Sequence, residues 1–356
     1  MKINRYLDFR NMNKIERRDI DDFAGMFPLA EMLRRRKFVI TGATGLLGAC
    51  MVKCLLALNK SYSLGLHVTS VVRNKDKASR IFGEETDCHD FYVYDFASSE
   101  SFNPCDEADY IVHFASPTAS KYFLEHPVET ILTGIRGTET VLEYASSHSI
   151  MSMAYISSLE VYGTVYDDTT PLTEDQQGYI NPIDARSSYP IGKRAAECLC
   201  HAYAVEKGLP VRIARLAQTF GAGVSKDDDR VFAQFARSII SGSDITLHTT
   251  GELSRCYCYT IDAISSILYI LLKGKDGEAY NVANDDTYIS IIDMARYLCR
   301  EFNPNVKPII ELQEGLGYSP VTKLRLSTDK IRSLGWTPIY SMHDMFANLI
   351  ESLRAD

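Results

Sequence analysis

A tyrosine and a lysine in the segment SSYPIGKRAAECLC have the types and the spacing needed to move a proton. Tyr189 and Lys193 are four residues apart, so they lie on one face of a helix. A nearby ammonium stabilises a phenolate and lowers the pKa of the tyrosine, which lets the tyrosine act as a general base. The same spacing recurs elsewhere in the chain, at Tyr203/Lys207 and at Tyr269/Lys273. Spacing alone therefore does not select the first pair.

The segment ISSLEVYG supplies the context that distinguishes Tyr189 from the other two tyrosines. Ser158 ends a predicted strand 31 residues before Tyr189, and the predicted helix that follows carries the pair. In a regular strand Ser158 and Glu160 share one side, and Leu159 between them points to the other. Tyr189 and Lys193 are therefore candidate catalytic residues, and Ser158 and Glu160 are polar side chains that could face the same site. The other two pairs are expected to be helix-surface or packing residues.

Three glycines follow the first predicted strand and open a helix. Gly42, Gly45 and Gly48 form a GxxGxxG pattern, a variant of the dinucleotide-binding fingerprint. Its glycines allow a tight turn, a close approach of the backbone to a pyrophosphate, and close packing of helix on strand. The helix N-terminus then presents free N–H groups to the phosphates. The pattern predicts a bound dinucleotide that contacts Gly42, Thr44, Gly45, Leu46, Leu47 and Gly48.

Two later strand ends bear on which dinucleotide is bound. Asp95 and Phe96 follow the third strand, where a carboxylate can reach the adenine amino group, although a turn-forming aspartate is nearly as good an interpretation. Arg73 ends the second strand, where NAD-preferring enzymes usually have Asp or Glu for the ribose hydroxyls. An arginine can instead receive a 2′-phosphate. The expected cofactor is NAD, with NADP left open by Arg73.

Short β-branched runs alternate with helical patterns from about residue 37 onward. Buried strands are predicted at 38–41, 66–72, 91–94, 109–115, 151–157 and 210–215, and helices at 46–58 and 127–147. Strands that alternate with helices imply βαβ units and a parallel sheet. The predicted fold is α/β, a Rossmann-type doubly wound parallel sheet with a smaller C-terminal α/β substrate lobe.

The expected domain organisation follows from a change of pattern after about residue 216. Residues 34–216 form the predicted dinucleotide-binding domain, and residues 217–356 form mainly the substrate lobe, to which 164–186 contributes. Residues 1–33 form an extension of uncertain structure. Helices are expected in the lobe at 231–241, 262–273 and 289–302.

Composition excludes several classes of function. The chain has 356 residues and a net charge of −8, so it lacks the basic surplus that a nucleic-acid partner requires. It has no apolar run of about 18 residues and no signal-peptide core, so we expect a cytoplasmic protein without a membrane partner. The nine cysteines include no CxxC pair, which fits neither a disulfide framework nor a zinc site. His113 is expected to support the cofactor loop, and no metal is expected.

Together, TGATGLLG, Asp95, HFAS, Ser158 and the Tyr189–Lys193 pair resemble the extended short-chain dehydrogenase/reductase superfamily, in its NAD-dependent epimerase/dehydratase family. The likeness covers roughly residues 37–345. HFASP, EVYG, INPIDARSSYPIGKR, RLAQTFG, DRVFAQF and SRCYCYTID look most like UDP-glucuronate decarboxylases. The resemblance implies an enzyme of sugar-polymer biosynthesis that oxidises C4 of a nucleotide-sugar and later returns the hydride. Ser158 would hydrogen-bond the 4-oxygen, and Glu160 would act as acid/base or position the substrate.

The exact reaction stays open because of Leu159. The resembling decarboxylases typically carry serine at this position, and dTDP-glucose dehydratases carry aspartate as the acid for the departing 6-hydroxyl. A 4-epimerase needs neither residue but seldom has the following glutamate. Arg73 suggests another alternative, an NADPH-dependent ketosugar reductase. A non-catalytic cofactor-binding protein is the remaining hypothesis, and the intact Ser158, Tyr189 and Lys193 argue against it.

Further contacts follow from the resemblance. Ala115 and Ser116 would line the cofactor, and Ser116 would also reach the substrate. The other candidate substrate contacts are Gln218, Thr219, Arg230, Arg255 and Asn284, each of which has a surface ion pair or a turn as its alternative role. Of these, Asn284 is expected to lie in a loop near the nucleotide. Relatives form homodimers through a four-helix bundle, built here from helices at about 127–147 and 187–207, so the chain is expected to be a homodimer.

Overall fold

The chain forms alternating strands and helices, which a computed structural model describes for residues 12–98, 100–118, 120–313 and 321–355. The strands are β1 (Lys37–Thr41), β2 (His67–Val72), β3 (His89–Val93), β4 (Tyr110–His113), β5 (Ser152–Ser158), β6 (Val211–Leu216), β7 (Gln218–Phe220), β8 (Ile245–Leu247), β9 (Ser254–Tyr259), β10 (Ala279–Val282), β11 (Asn284–Ser290), β12 (Pro308–Ile310) and β13 (Lys323–Leu324).

The α-helices are α1 (Lys14–Met26), α2 (Leu46–Tyr62), α3 (Lys75–Phe82), α4 (Ser120–Glu125), α5 (Pro127–Ser147), α6 (Ser188–Lys207), α7 (Val231–Ser241), α8 (Thr260–Lys273), α9 (Ile291–Phe302), α10 (Asp329–Arg332) and α11 (Met342–Ala355). Three short 3-10 helices lie within the described residues, at Ala30–Leu33, Leu159–Tyr162 and Ala185–Ser187. Of the helices formed by these residues, none has both the length and the apolar composition that a membrane crossing requires.

The main sheet confirms the predicted Rossmann-type architecture. Its described strands are parallel and run in the order β10-β6-β5-β4-β1-β2-β3. The strand order reverses between β1 and β4, and ligands of doubly wound sheets bind beyond the carboxyl ends of the strands at such a reversal. The register places Thr41, the last residue of β1, beside His113, the last residue of β4.

The strands are apolar on both sides because helices cover both faces of the sheet. Successive residues of β1 illustrate this, since neighbouring side chains of a strand point to opposite faces. Phe38 and Ile40 belong to the cluster built with α2 and α8, whereas Val39 packs in the cluster built with α5 and α6. The strands could be predicted from long apolar runs because a parallel sheet buries both faces of each strand.

The part of the chain after residue 216 forms a second sheet and also adds one strand, β10, to the main sheet. Strand β10 pairs in parallel with β6, with Ala279 opposite Ile213, and α8 packs against β5 and β6. The sequence predicted no strand at Ala279–Val282. The residues assigned mainly to a substrate lobe thus supply one edge strand and one covering helix to the dinucleotide-binding sheet.

A second, smaller sheet is built around β9. Strands β7, β11 and β13 each pair with β9, whereas β8 and β12 pair with each other in a separate two-stranded sheet. The 164–186 segment packs on this part of the chain, because the N–H of Leu172 donates to the carbonyl oxygen of Arg325 at 2.6 Å. Leu172 shares an apolar cluster with Leu324 and Leu326.

The described part of the N-terminal extension is folded against both regions. The side chain of Asn13 caps α1 by accepting the N–H groups of Ile15 and Glu16, each at 3.0 Å. Glu16 pairs with Lys53 of α2 at 2.6 Å, and buried Asp19 accepts the hydroxyl of Tyr259 at the end of β9. Helix α1 therefore ties the dinucleotide-binding helix α2 to the second sheet.

Candidate active site

The glycine turn between β1 and α2 has no room for a side chain at Gly42 or at Gly48. Gly42 has a φ of +64°, and a Cβ there would lie 2.9 Å from the amide nitrogen of Ala115. A Cβ at Gly48 would lie 2.3 Å from the carbonyl oxygen of Gly42. Gly45 caps α2 without a side chain, so the first N–H groups of the helix are left for a ligand. This cradle fits a dinucleotide pyrophosphate at a helix N-terminus.

The floor of the cradle is a buried hydrogen-bonded group at the ends of β1 and β4. The Thr41 hydroxyl lies 2.7 Å from Nδ1 of His113 and accepts the N–H of Ala115 at 3.2 Å. Burial, together with the charge of Lys193, lowers the pKa of His113 to about 3, so the ring is neutral. The predicted supporting role of His113 agrees with these contacts.

The remaining cofactor candidates surround this cradle. Thr44 lies in the turn, and Leu46 and Leu47 begin α2 with their side chains half-buried. The ring of Phe96 packs edge-on to His113 at a centroid distance of 5.5 Å. Other candidates lie in more open positions. Arg73 and Asp95 are exposed, Asp95 accepts the N–H of Ala97 at 3.0 Å, and the Ser116 hydroxyl donates to the carbonyl oxygen of Pro117 at 3.2 Å.

Strand β5 ends at Ser158 and turns at once into the 3-10 helix Leu159–Tyr162. The Ser158 hydroxyl accepts the N–H of Glu160 at 3.2 Å and so fixes this turn. Leu159 is 3% exposed and packs with Val161 and Tyr162 in the apolar cluster that contains Leu172. Leu159 is therefore a packing residue here.

Helix α6 begins at Ser188 and places Tyr189 and Lys193 one turn apart. The Lys193 ammonium donates to the carbonyl oxygen of Ile156 in β5 at 2.7 Å, and it lies 5.8 Å from the Tyr189 ring centroid. Burial lowers the pKa of Lys193 to about 8, and the nearby charge of Glu197 opposes this shift. Lysine, tyrosine and the end of β5 are thus brought together as the sequence predicted.

The predicted effect on the tyrosine is wrong in direction. Burial raises the pKa of Tyr189, and the Glu160 carboxylate raises it further. Contact with the Ser158 hydroxyl and the charge of Arg186 oppose the shift without reversing it. The sequence argument considered only the ammonium and left out the cost of removing a phenolate from water. Tyr189 is therefore held protonated.

The two other Tyr–Lys pairs are cation–π contacts outside this site. Lys207 lies 4.5 Å from the ring centroid of Tyr203, and Lys273 lies 5.0 Å from that of Tyr269. Tyr203 and Lys207 occupy the last turns of α6, far along the helix from Tyr189. Their predicted role as helix-surface or packing residues agrees with this placement.

We expect turnover to rise with pH up to about 8 and to level off above it. Below that value each pH unit should raise the rate about tenfold, because the deprotonated fraction of Tyr189, whose pKa is raised, grows about tenfold. Above it Lys193, whose pKa is lowered to about 8, loses its charge and offsets this gain. The measurement is the turnover number at saturating substrate across the pH range in which circular dichroism shows a folded protein. A rate that keeps rising tenfold per pH unit to the alkaline limit of folding would contradict this role of Lys193.

Sequence reasoning missed Arg186, which pairs with Glu160. Nη2 of Arg186 donates to both carboxylate oxygens of Glu160, at 2.9 and 2.8 Å. Its Cζ lies 5.0 Å from the ring centroid of Phe123, and that ring stacks on Tyr189 with centroids 4.3 Å apart and planes 8° apart. The arginine was visible within INPIDARSSYPIGKR, but no spacing rule connects it to a glutamate 26 residues earlier.

Two of the candidate substrate-binding residues contact each other, and the side chains of others form hydrogen bonds with residues nearby in the sequence. Nη1 of Arg255 in β9 lies 3.4 Å from the amide oxygen of Gln218 in β7, so the fold brings these two together. The Thr219 hydroxyl donates to the carbonyl oxygen of Ala217 at 2.9 Å. Arg230, at the N-cap of α7, donates from Nε to both Asp228 oxygens, at 2.9 and 3.1 Å.

The prediction that Asn284 lies in a loop is wrong, because Asn284 is the first residue of β11. It is buried, its amide donates to the carbonyl oxygen of Tyr340 at 2.9 Å, and its side-chain oxygen accepts the N–H of Asp286 at 3.1 Å. The prediction failed because NDD resembles a turn, whereas pairing of Asn284 with Tyr257 draws these residues into the second sheet. Asn284 therefore joins β11 to the segment before α11.

Comparison with known proteins identifies the family. Residues 38–283 match the NAD dependent epimerase/dehydratase family. The chain is 27% identical over 328 residues to UDP-glucuronic acid decarboxylase 1 of Xenopus tropicalis, covering 90% of this chain and 73% of that protein. It is 31% identical over 248 residues to UDP-glucuronic acid decarboxylase 3 of Arabidopsis thaliana, covering 70% of each.

A solved structure shows the same fold. The UDP-glucuronic acid 4-epimerase from Bacillus cereus, in complex with UDP-glucuronic acid and NAD, matches with a TM-score of 0.72 at 19% identity, covering 89% of this chain and 99% of that one. The family match spans β1 to β10, which includes the glycine cradle and the ends of β4 and β5. Because that region holds the whole main sheet together with helix α6, this chain belongs to the NAD-dependent epimerase/dehydratase family of nucleotide-sugar-modifying enzymes.

Proposed function

We propose that the protein oxidises C4 of UDP-glucuronate transiently and releases the C6 carboxyl group as CO2. The observation that carries this proposal is the meeting of Ser158, Tyr189 and Lys193 at the end of β5, beside the glycine cradle. The two UDP-glucuronic acid decarboxylases described above favour this substrate among nucleotide sugars.

Each residue has a task in the proposed reaction. Ser158 hydrogen-bonds the 4-oxygen of the sugar. Tyr189 first gives up its own proton to solvent, Lys193 stabilises the phenolate that results, and this phenolate then takes the proton of the 4-hydroxyl. When bound, NAD supplies the acceptor for the C4 hydride and returns the hydride at the end of the cycle. Glu160 serves as the acid that protonates C5.

The leaving group favours decarboxylation over dehydration. A departing 6-hydroxyl needs an acid to protonate it, and position 159, where resembling dehydratases carry that acid, holds a packed leucine. CO2 departs without protonation, so loss of the carboxyl group requires no acid at that position. The decarboxylation step itself then needs one proton, at C5, and Glu160 can deliver it. The residues present thus serve decarboxylation better than dehydration.

A second candidate function is reduction of a nucleotide 4-ketosugar with NADPH. Arg73 favours it, because this exposed arginine follows β2, where a ribose 2′-phosphate would lie. Such an enzyme would consume external cofactor with each turnover. The decarboxylase would instead recycle one bound NAD.

One experiment separates these functions. The purified protein is denatured to release and identify any bound cofactor, and native protein is incubated with UDP-glucuronate, dTDP-glucose and UDP-N-acetylglucosamine. Product masses then distinguish loss of CO2, loss of water, and isomerisation without a change of mass. We expect loss of CO2 from UDP-glucuronate. Net consumption of NADPH with a 4-ketosugar would favour the reductase, and absence of any conversion would contradict both functions.

We also propose that the enzyme is a homodimer joined through α5 and α6. These helices pack against each other, and Val128, Leu132 and Val205 leave apolar side chains exposed on them. Pairing with the same helices of a second copy would bury these side chains in a four-helix bundle. We expect light scattering at micromolar concentration to give the mass of a dimer. A monomer mass would contradict this proposal.

A further inference from the structure

Glu160 is held at two points by two different elements. The Ser158 hydroxyl accepts its N–H and fixes the backbone at the end of β5, whereas Arg186 fixes its carboxylate from the turn that precedes α6. The side chains of Arg186 and Glu160 retain 12% and 28% of their exposure, so salt screens this pair less than a fully exposed one. A glutamate without such a partner samples several rotamers.

Arg186 is itself ordered by its surroundings. Asp184 accepts its backbone N–H at 2.9 Å, and its guanidinium contacts the ring of Phe123, which is 1% exposed. The same ring stacks on Tyr189, so one rigid aromatic side chain supports both the arginine and the tyrosine. The relative position of the Glu160 carboxylate and the Tyr189 hydroxyl therefore depends on Phe123 and Arg186 together.

Stability alone does not account for this arrangement. Nε of Arg186 is buried and has no hydrogen-bond partner among the described residues, which disfavours the folded state. Partly buried ion pairs also lose hydration, and apolar residues of similar size often stabilise a fold as well or better. What the pair does provide is a fixed position for one carboxylate beside Tyr189.

We propose that Arg186 is a positioning residue that aims Glu160 at C5 of the sugar. This inference rests on the proposed function, since it concerns the step after oxidation at C4. In that step the C5–C6 bond breaks, CO2 leaves, and the electron pair of the bond passes into an enolate with the C4 carbonyl. A proton that Glu160 has taken up from solvent then forms the C5–H bond, and the carbonyl is restored. A displaced carboxylate slows this protonation and leaves oxidation at C4 intact.

The test compares the wild type with Arg186→Gln, Glu160→Gln and the double variant, each supplied with UDP-glucuronate. Absorbance of the reduced nicotinamide reports oxidation at C4, and mass spectrometry reports product formation. We expect Arg186→Gln to lower turnover by about 10²-fold, with KM unchanged and reduced nicotinamide accumulating. Because Arg186 acts through Glu160, the double variant should lose no more than Glu160→Gln alone.

Two further variants serve as controls. Arg296→Gln removes an arginine from an exposed pair with Asp293 and should keep the wild-type rate. Arg186→Lys retains a charge for Glu160 and should recover part of the lost rate, and it replaces Arg186→Gln in the comparison if that variant does not fold.

Several results would overturn the role of Arg186. One is that Arg186→Gln keeps the wild-type turnover. Another is that the double variant loses as much turnover as the two single losses multiplied together. A third is that both Arg186 variants unfold or lose the cofactor. A wild-type protein that converts no nucleotide sugar would instead contradict the proposed function itself. Wild-type turnover that is insensitive to Arg186 would contradict only this inference.

Discussion

Replacing Tyr189 by phenylalanine is expected to lower turnover by about 10²–10⁴-fold while leaving cofactor binding unchanged. The substitution removes only the oxygen atom that, as a phenolate, would accept the substrate proton. The ring can still stack on Phe123, and Lys193 keeps its hydrogen bond to the carbonyl oxygen of Ile156 at 2.7 Å. The measurement is steady-state formation of product from UDP-glucuronate, with the cofactor content of the same preparation determined after denaturation.

Tyr203→Phe is the matched control for this experiment. Tyr203 lies on the same helix, has a lysine at the same spacing, and contacts that lysine at 4.5 Å. If the Tyr–Lys spacing mattered only for helix stability, both substitutions would have similar small effects. We expect Tyr203→Phe to keep the wild-type rate. Equal activity of Tyr189→Phe and the wild type would refute the assignment of Tyr189 as the general base.

Gly48→Ala is expected to abolish tight cofactor binding and to destabilise the fold by about 1–3 kcal/mol. The new methyl group would lie 2.3 Å from the carbonyl oxygen of Gly42 and 2.9 Å from the Cα of Ala43. Both contacts are to backbone atoms, so relief requires α2 to move away from the turn that holds the phosphates. Cofactor retained after gel filtration and the midpoint of thermal unfolding measure the two effects.

Gly25→Ala controls for the general effect of adding a methyl group to a helix. Gly25 lies in α1, and outside the adjoining residues and backbone of that helix no atom of the described residues lies within 4 Å of the place that its Cβ would occupy. Alanine forms helix better than glycine, so this variant should be as stable as the wild type or slightly more stable. Full cofactor retention in Gly48→Ala would show that the close approach at the cradle is not required.

The main sheet was predictable because its strands are buried on both faces and so carry continuous apolar runs. The predicted strand 38–41 lies within β1, and the predicted helix 127–147 coincides with α5. Strand β10 was missed because it has only four residues, one of which is the polar Asn281. That side chain is fully buried and receives a hydrogen bond from the Tyr162 hydroxyl at 2.7 Å, a contact 119 residues apart in sequence.

Within the site, local motifs were predictable and long-range electrostatics were not. The Tyr189–Lys193 pair needs only helical spacing, and the glycine cradle needs only its position between a strand and a helix. The pKa of Tyr189 depends on burial and on Glu160, neither of which spacing specifies. The direction of Leu159 was open because alternation of side chains ends with β5, and the 3-10 turn then directs Leu159 into the apolar cluster.

The main sheet contains strands from before and after residue 216, and this affects how the protein folds during synthesis. During synthesis, β6 presents an unpaired edge until β10 has emerged from the ribosome, more than 60 residues later. Helix α1 must likewise wait for its partner α11, to which Asn13 is linked through the Ser352 hydroxyl at 2.8 Å. At about 5–20 residues per second, a nascent chain would expose that edge for several seconds. Exposed strand edges pair with other chains, so this interval is when chaperone binding would protect the protein most.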